Sequence, residues 1–233
     1  MNDQIKNPRD RIIVALDLPT AAEALEMVAK ISDDVSFFKI GLQLYTAAGP
    51  EIVRAVIAKG GKVFLDLKLH DIPHTVEKAV RAAGDLGVQM LTIHLSGGRN
   101  MIDAAMKECP PDLLLLGVTV LTSSNDETLR ETGVTSHVEE QTLRLAKLGA
   151  DAGIRGLIAS PHEVTALRGQ LGKVMTIITP GVRPAGAKAD DQKRFTTPQE
   201  AIANGADYLV IGRPITTAPD PREAVRQIVA ELA

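Results

Sequence analysis

Short apolar runs rich in β-branched residues return along the whole chain, and their number and spacing restrict the fold more than any other feature. They are RIIVALD (Arg11–Asp17), FFKIGL (Phe37–Leu42), VFLDLKL (Val63–Leu69) and MLTIHL (Met90–Leu95), then LLLGVTVL (Leu114–Leu121), GLIAS (Gly156–Ser160), MTIITP (Met175–Pro180) and YLVIGRPI (Tyr208–Ile215). Between them lie stretches with apolar residues at helical spacing, among them Ala21–Ile31, Glu51–Lys59, Val138–Leu148 and Pro221–Leu232. Strands that are apolar on both faces belong to parallel sheets covered by helices. Eight such units in 233 residues most simply close into an α/β, (β/α)8 TIM barrel that takes the whole chain, 1–233, as a single domain. An open doubly wound sheet is the alternative. No G-x-G-x-x-G follows the first strand, which weakens its dinucleotide-binding version.

Local signals mark the helix starts. Thr20/Glu23, Ser136/Glu139, Ser160/Glu163 and Thr197/Glu200 have capping-box spacing, and Pro161, Pro198 and Pro221 are expected at first helical positions. No Ser/Gly-rich linker divides the chain. The longest insertion, GVRPAGAKADDQKRF (181–195), follows the seventh strand and is read as a lid over the site.

Composition removes several classes of function. Lys plus Arg number 26 against 29 Asp plus Glu, a net charge of −3, so no broad basic surface is available for nucleic acid or anionic membrane. Aromatics are 3% with no Trp, which leaves no stacking platform for single-stranded nucleic acid. The single Cys109 excludes an internal disulfide and a thiolate metal cage, fits a reducing cytoplasm, and is read as structural. The N-terminal MNDQIKNPRD has no apolar signal core, and the longest apolar run falls short of the ~20 residues that a membrane helix needs. A cytoplasmic protein is expected.

The third run carries the strongest anomaly. Alternation puts Val63, Leu65, Leu67 and Leu69 on one face and Phe64, Asp66 and Lys68 on the other. The aliphatic face must meet the helices, so both charges point into the barrel at the strand end where barrel enzymes keep their catalysts. By the same reasoning Ile12, Val14 and Leu16 face outward beneath an inward Asp17, and Phe38, Ile40 and Leu42 face outward beside an inward Lys39. One inward charge is explained as an accident of packing, and Asp66 with Lys68 as a structural pair filling the barrel. Four of alternating sign from three adjacent strands make an arranged electrostatic site.

Across the mouth, the loops after strands seven and eight supply Pro180-Gly181-Val182-Arg183-Pro184 and Ile211-Gly212-Arg213-Pro214. Barrel phosphate sites form in these loops, where Gly212 admits close backbone approach and Arg213 and Arg183 offer guanidinium forks. His70, Asp71 and His74 lack a third ligand of matching spacing, so no metal site is expected. His94 faces inward as barrel filler or substrate contact, while His137 and His162 fall in solvated first helical turns.

These residues resemble a known family. Phe64-Leu65-Asp66-Leu67-Lys68-Leu69-His70-Asp71-Ile72-Pro73 is similar to the signature of orotidine 5′-phosphate decarboxylases. The resemblance extends over the chain through Asp17, Phe38-Lys39-Ile40-Gly41, Val120-Leu121-Thr122-Ser123, Pro180-Gly181-Val182-Arg183, Gln192 and Gly212-Arg213-Pro214. The D-x-K-x-x-D core is shared with sugar-phosphate lyases, whereas the longer DLKLHDIP string is specific to the nucleotide enzymes. His74 departs from the Asn common in bacterial members.

The resemblance implies conversion of orotidine 5′-monophosphate to UMP and CO2 without a cofactor or metal. It implies Lys39, Asp66, Lys68 and Asp71 as catalytic residues, with Lys68 as proton donor. Asp17, Lys39, Thr75, Thr122, Ser123, Pro180, Arg183, Gln192, Gly212 and Arg213 are implied as the substrate contacts. It further implies a homodimer in which Asp71 and Thr75 reach into the partner's site. Two rivals stand beside it: a sugar-phosphate lyase or epimerase with Asp66 on Mg²⁺, and a catalytically silent phosphate-ligand-binding protein.

Overall fold

A computed structural model describes residues 5, 7–183 and 196–232. Eight parallel strands close into one barrel in chain order. They are β1 (Ile12–Ala15), β2 (Phe37–Gly41), β3 (Lys62–Leu69), β4 (Met90–His94), β5 (Leu114–Val118), β6 (Gly156–Ile158), β7 (Thr176–Pro180) and β8 (Tyr208–Ile211). Each expected apolar run contains one of these strands. Closure is made by β8 lying beside β1, with Ile12 opposite Leu209 and Val14 opposite Ile211.

Two cores follow from the period-two alternation. Outward residues such as Ile12, Val14, Phe38, Ile40, Val63, Leu65, Leu91 and Ile93 join the surrounding helices in one continuous apolar layer. Inside the barrel, Ile13, Ala15, Phe37, Phe64, Met90, Leu116, Ile178 and Val210 form a separate plug. The Phe37 ring meets Tyr208 edge-on at 6.1 Å and seals the N-terminal end. An apolar plug below leaves the C-terminal ends of the strands as the place where inward polar residues meet solvent.

Several local expectations are corrected. The eighth run does not stay extended: Arg213–Thr216 is a short helix with Pro214 in its first turn, where the fixed φ of proline suits helix rather than ladder. Leu42 opens a helix, Leu42–Ala48, and is 56% exposed instead of packing outward. Thr197/Glu200 makes the full capping box and Thr20 caps through the Glu23 N–H, whereas Ser136 is not the cap residue and at Ser160 only the carboxylate half forms, Glu163 accepting the Ser160 N–H at 2.9 Å. His137 is the N-cap residue of Val138–Asp151, and Ser136 bonds Gln141 instead. The helix expected at Pro161 begins at Val164, so Pro161 and His162 lie in the preceding turn. Pro198 and Pro221 do stand at helix starts. Cys109 is half-buried, its thiol donates to the Leu113 carbonyl, and burial pushes its pKa up. Among the described residues, no helix is long and apolar enough to cross a membrane.

Candidate active site

At the mouth, β1, β2 and β3 deliver a row of four charges. Lys39 Nζ lies 2.9 Å from Asp17 Oδ1 and 3.8 Å from Asp66 Oδ2. Lys68 Nζ donates to both Asp66 oxygens at 2.9 Å. The order is therefore Asp17, Lys39, Asp66, Lys68, with the sign reversing at every step. Each inner charge stands against a neighbour of opposite sign, which is what makes burial of ions tolerable. The side chains of Lys39 and Asp66 are 11% and 13% exposed, whereas Asp17 opens to solvent at 59%. Gly41 protects this spacing, because a Cβ there would stand 3.1 Å from Lys39 Nζ and 3.3 Å from Asp17 Oδ1.

Sequence reasoning passed over Thr92. Its hydroxyl donates to Asp66 Oδ1 at 2.9 Å and accepts the Lys68 backbone N–H at 2.8 Å. Alternation on β4 places it inward between the outward Leu91 and Ile93, so the placement was readable, but nothing marks an inward Thr as a partner of charges. His94 follows on the same inward face, its ring centroid 5.5 Å from that of His70. Burial holds the His94 pKa below the ordinary 6.5, helped by the nearby His70 and Lys68 and opposed by Asp66. His74 Nδ1 lies 3.6 Å from Glu77 Oε2, away from this pair. Among the described residues, no group of three or more His, Cys, Asp or Glu side chains is arranged to hold a metal ion.

A cavity of about 380 Å³ opens between this row and the far wall of the mouth. Asp17, Lys39, Asp66 and Lys68 line one side, and Pro180, Gly181, Arg183, Gly212 and Arg213 line the other. Thr122 joins them, as do the apolar Val118, Val120, Ile158 and Val210, which sequence reasoning did not single out. Gly181 takes a left-handed φ of 78° that turns the chain at the end of β7. Arg183 is buried, and its backbone N–H bonds the Thr196 carbonyl, which ties the two described ends of the β7 loop together.

Three expected site residues do not line this cavity. Ser123 is exposed beside Thr122. Asp71 is exposed, its carboxylate accepting the Ile72 N–H at 2.7 Å, and Thr75 stands exposed in the first turn of Pro73–Asp85. Gln192 and residues 184–195 of the expected lid lie outside the described residues.

A closed barrel whose C-terminal mouth holds a sign-alternating row of charges defines a (β/α)8-barrel enzyme. The sequence profile of the orotidine 5′-phosphate decarboxylase / HUMPS family matches residues 10–228, and the chain belongs to that family. It is 51% identical over 224 residues to the orotidine 5′-phosphate decarboxylase of Opitutus terrae, covering 95% of this chain and 97% of the relative. It is 49% identical to the enzyme of that name from Moorella thermoacetica, covering 96% and 92%. The crystal structure of orotidine 5′-phosphate decarboxylase from Lactobacillus acidophilus superposes with a TM-score of 0.85 at 37% identity, covering 96% of this chain and 99% of that one.

Proposed function

We propose that the protein converts orotidine 5′-monophosphate to UMP and CO2 in pyrimidine nucleotide synthesis. The observation that carries the reading is the charge row facing an arginine- and glycine-lined wall across one cavity. The named relatives, both orotidine 5′-phosphate decarboxylases, favour this substrate over a sugar phosphate.

The chemistry follows from where charge moves. When the bond between carbon-6 and the carboxylate breaks, its electron pair stays on carbon-6 in an in-plane orbital that the ring does not delocalise. Fixed positive charge must then stabilise it, and a preorganised ammonium in a partly desolvated site is suited to that. Lys68 fills this role: its ammonium stands beside carbon-6, stabilises the growing charge and transfers a proton to carbon-6 as CO2 departs. Asp66 stands against the substrate carboxylate, a repulsion that ends with CO2 release. Lys39 and the partner's Asp71 hold these two groups in place and ionised.

Binding falls to the remaining residues. Arg213, Arg183, the Gly212 N–H and Gln192 take the phosphate, and that remote binding energy lowers the barrier at carbon-6. Asp17 and Lys39 take the ribose hydroxyls, Pro180 packs at the mouth, and Thr122 and Ser123 read the pyrimidine edge. Asp71 and Thr75 stand outside their own chain's cavity, on either side of an Ile72 that is 67% exposed. That placement fits a homodimer in which they complete the neighbouring site.

The test is the ultraviolet absorbance of orotidine 5′-monophosphate followed with purified protein in EDTA. Full conversion to UMP is expected. No change in absorbance overturns the reading, and activity lost in EDTA and restored by Mg²⁺ gives the site to a metal-dependent lyase.

A further inference from the structure

Strand β3 breaks register where its chemistry sits. Leu65 pairs with Leu91 and Leu69 with Ile93, so Asp66, Leu67 and Lys68 together face the single residue Thr92. Such a bulge leaves backbone groups without ladder partners. Within it Lys68 has φ of 51°, the only left-handed non-glycine residue among those described. A side chain in that region is strained, and it persists only where its surroundings hold it.

Thr92 supplies the hold. It is fully buried, and its hydroxyl has one proton to give and lone pairs to accept with. The proton goes to Asp66 Oδ1, and a lone pair takes the orphaned Lys68 N–H. Burial alone does not impose such bonds. Among the described residues the buried hydroxyls of Thr119, Thr142 and Thr179 have no partner. One hydroxyl thus fixes the carboxylate of one charged residue and the backbone of the other.

We infer that Thr92 is a positioning residue for decarboxylation, orienting the Asp66 carboxylate and locking the left-handed backbone of Lys68 so that both meet the substrate. The inference rests on the proposed function. Thr92→Val keeps the shape and removes the hydroxyl, while Thr92→Ser keeps the hydroxyl and removes a methyl. With both bonds gone, kcat of Thr92→Val is expected to fall at least about tenfold. KM for orotidine 5′-monophosphate and calorimetric affinity for UMP are expected to stay within about threefold, because the lost bonds touch no ligand atom. Thr92→Ser is expected within about threefold of wild-type kcat, since it keeps both bonds.

Equal impairment of the two variants, or an unchanged kcat in Thr92→Val, overturns the inference. So does a Thr92→Val that loses UMP affinity in step with kcat. Should Thr92→Val fail to fold, Thr92→Ala against Thr92→Ser makes the same comparison, with a wild-type kcat in Thr92→Ala the contradicting result. A wild-type protein inert towards orotidine 5′-monophosphate overturns the functional reading and this inference together. An active wild type with an indifferent Thr92→Val overturns this inference alone.

Discussion

The two halves of the barrel mouth are built from different materials. At the mouth, strands β2 to β4 carry Lys39, Asp66, Lys68, Thr92 and His94, and Asp17 stands two residues beyond the end of β1, every one of them polar. Strands β5 to β8 end inward in Val118, Ile158, Pro180 and Val210, and the polar side chains that line the cavity there stand beyond the strands, among them Thr122, Arg183 and Arg213. The charges of the first half stand on or just beyond strands, where mutual ion pairs fix them and Thr92 holds Lys68 at the break in the ladder. Those of the second half stand in loops or at the start of the short helix Arg213–Thr216, next to an apolar wall that displaces water. Charges held rigidly against a low-dielectric surface act more strongly on a reacting centre than charges in water. Under the proposed function this contrast becomes a division of labour, with reaction chemistry assigned to the strand-borne half and phosphate binding to the loop-borne half.

The largest expected effect separates the halves through turnover. Lys68→Ala should lower kcat at least about a thousandfold, because it removes a group that acts only as charge develops. A steady-state assay checks this, and turnover within about tenfold of wild type would break the division. Arg213→Ala should cost about ten- to a hundredfold in kcat/KM, the worth of a charge-assisted contact to a phosphate.

The smallest effect is on stability, through the histidine that only the strand-borne half carries. Because the folded pKa of His94 lies below 6.5, the unfolded chain binds more protons as pH falls through that value. His94 therefore takes stability away as pH drops from neutral through 6.5, and the loss levels off below its folded pKa. His137 works in the opposite sense, its pKa raised by its bond to Asp126, and this contribution fades as pH rises above 6.5. Subtracting the urea-unfolding pH profile of His94→Asn from that of wild type isolates the first. A difference below about 1 kcal/mol is expected, since the ring is only half-buried and partly screened. A difference of opposite sign would contradict the assignment.

How much was legible beforehand differs between the halves too. Apolar runs and alternation were enough for the closed barrel and for the inward Asp17, Lys39, Asp66 and Lys68. They were enough because one-residue alternation is imposed by the pleat wherever a strand is buried on both faces. The same rule says nothing about register. The bulge at Leu65–Leu69 and the left-handed Lys68 depend on how β3 meets β4, a tertiary fact. Thr92 stayed hidden for that reason. On the loop-borne side the overrun of the eighth run into Arg213–Thr216 came from apolar residues that suit helix and strand equally, with Pro214 the overlooked sign. Ser136 and Ser160 show that capping-box spacing does not fix which residue becomes the cap. The exposed Asp71 and Thr75 belong to a question of assembly that spacing within one chain does not address.

Calorimetric titration of UMP into Lys68→Ala and Arg213→Ala, side by side, tests the division most directly. The strand-borne variant should keep wild-type affinity within about threefold while the loop-borne variant loses at least about tenfold. The reverse pattern, with UMP binding lost in Lys68→Ala and kept in Arg213→Ala, would contradict the account.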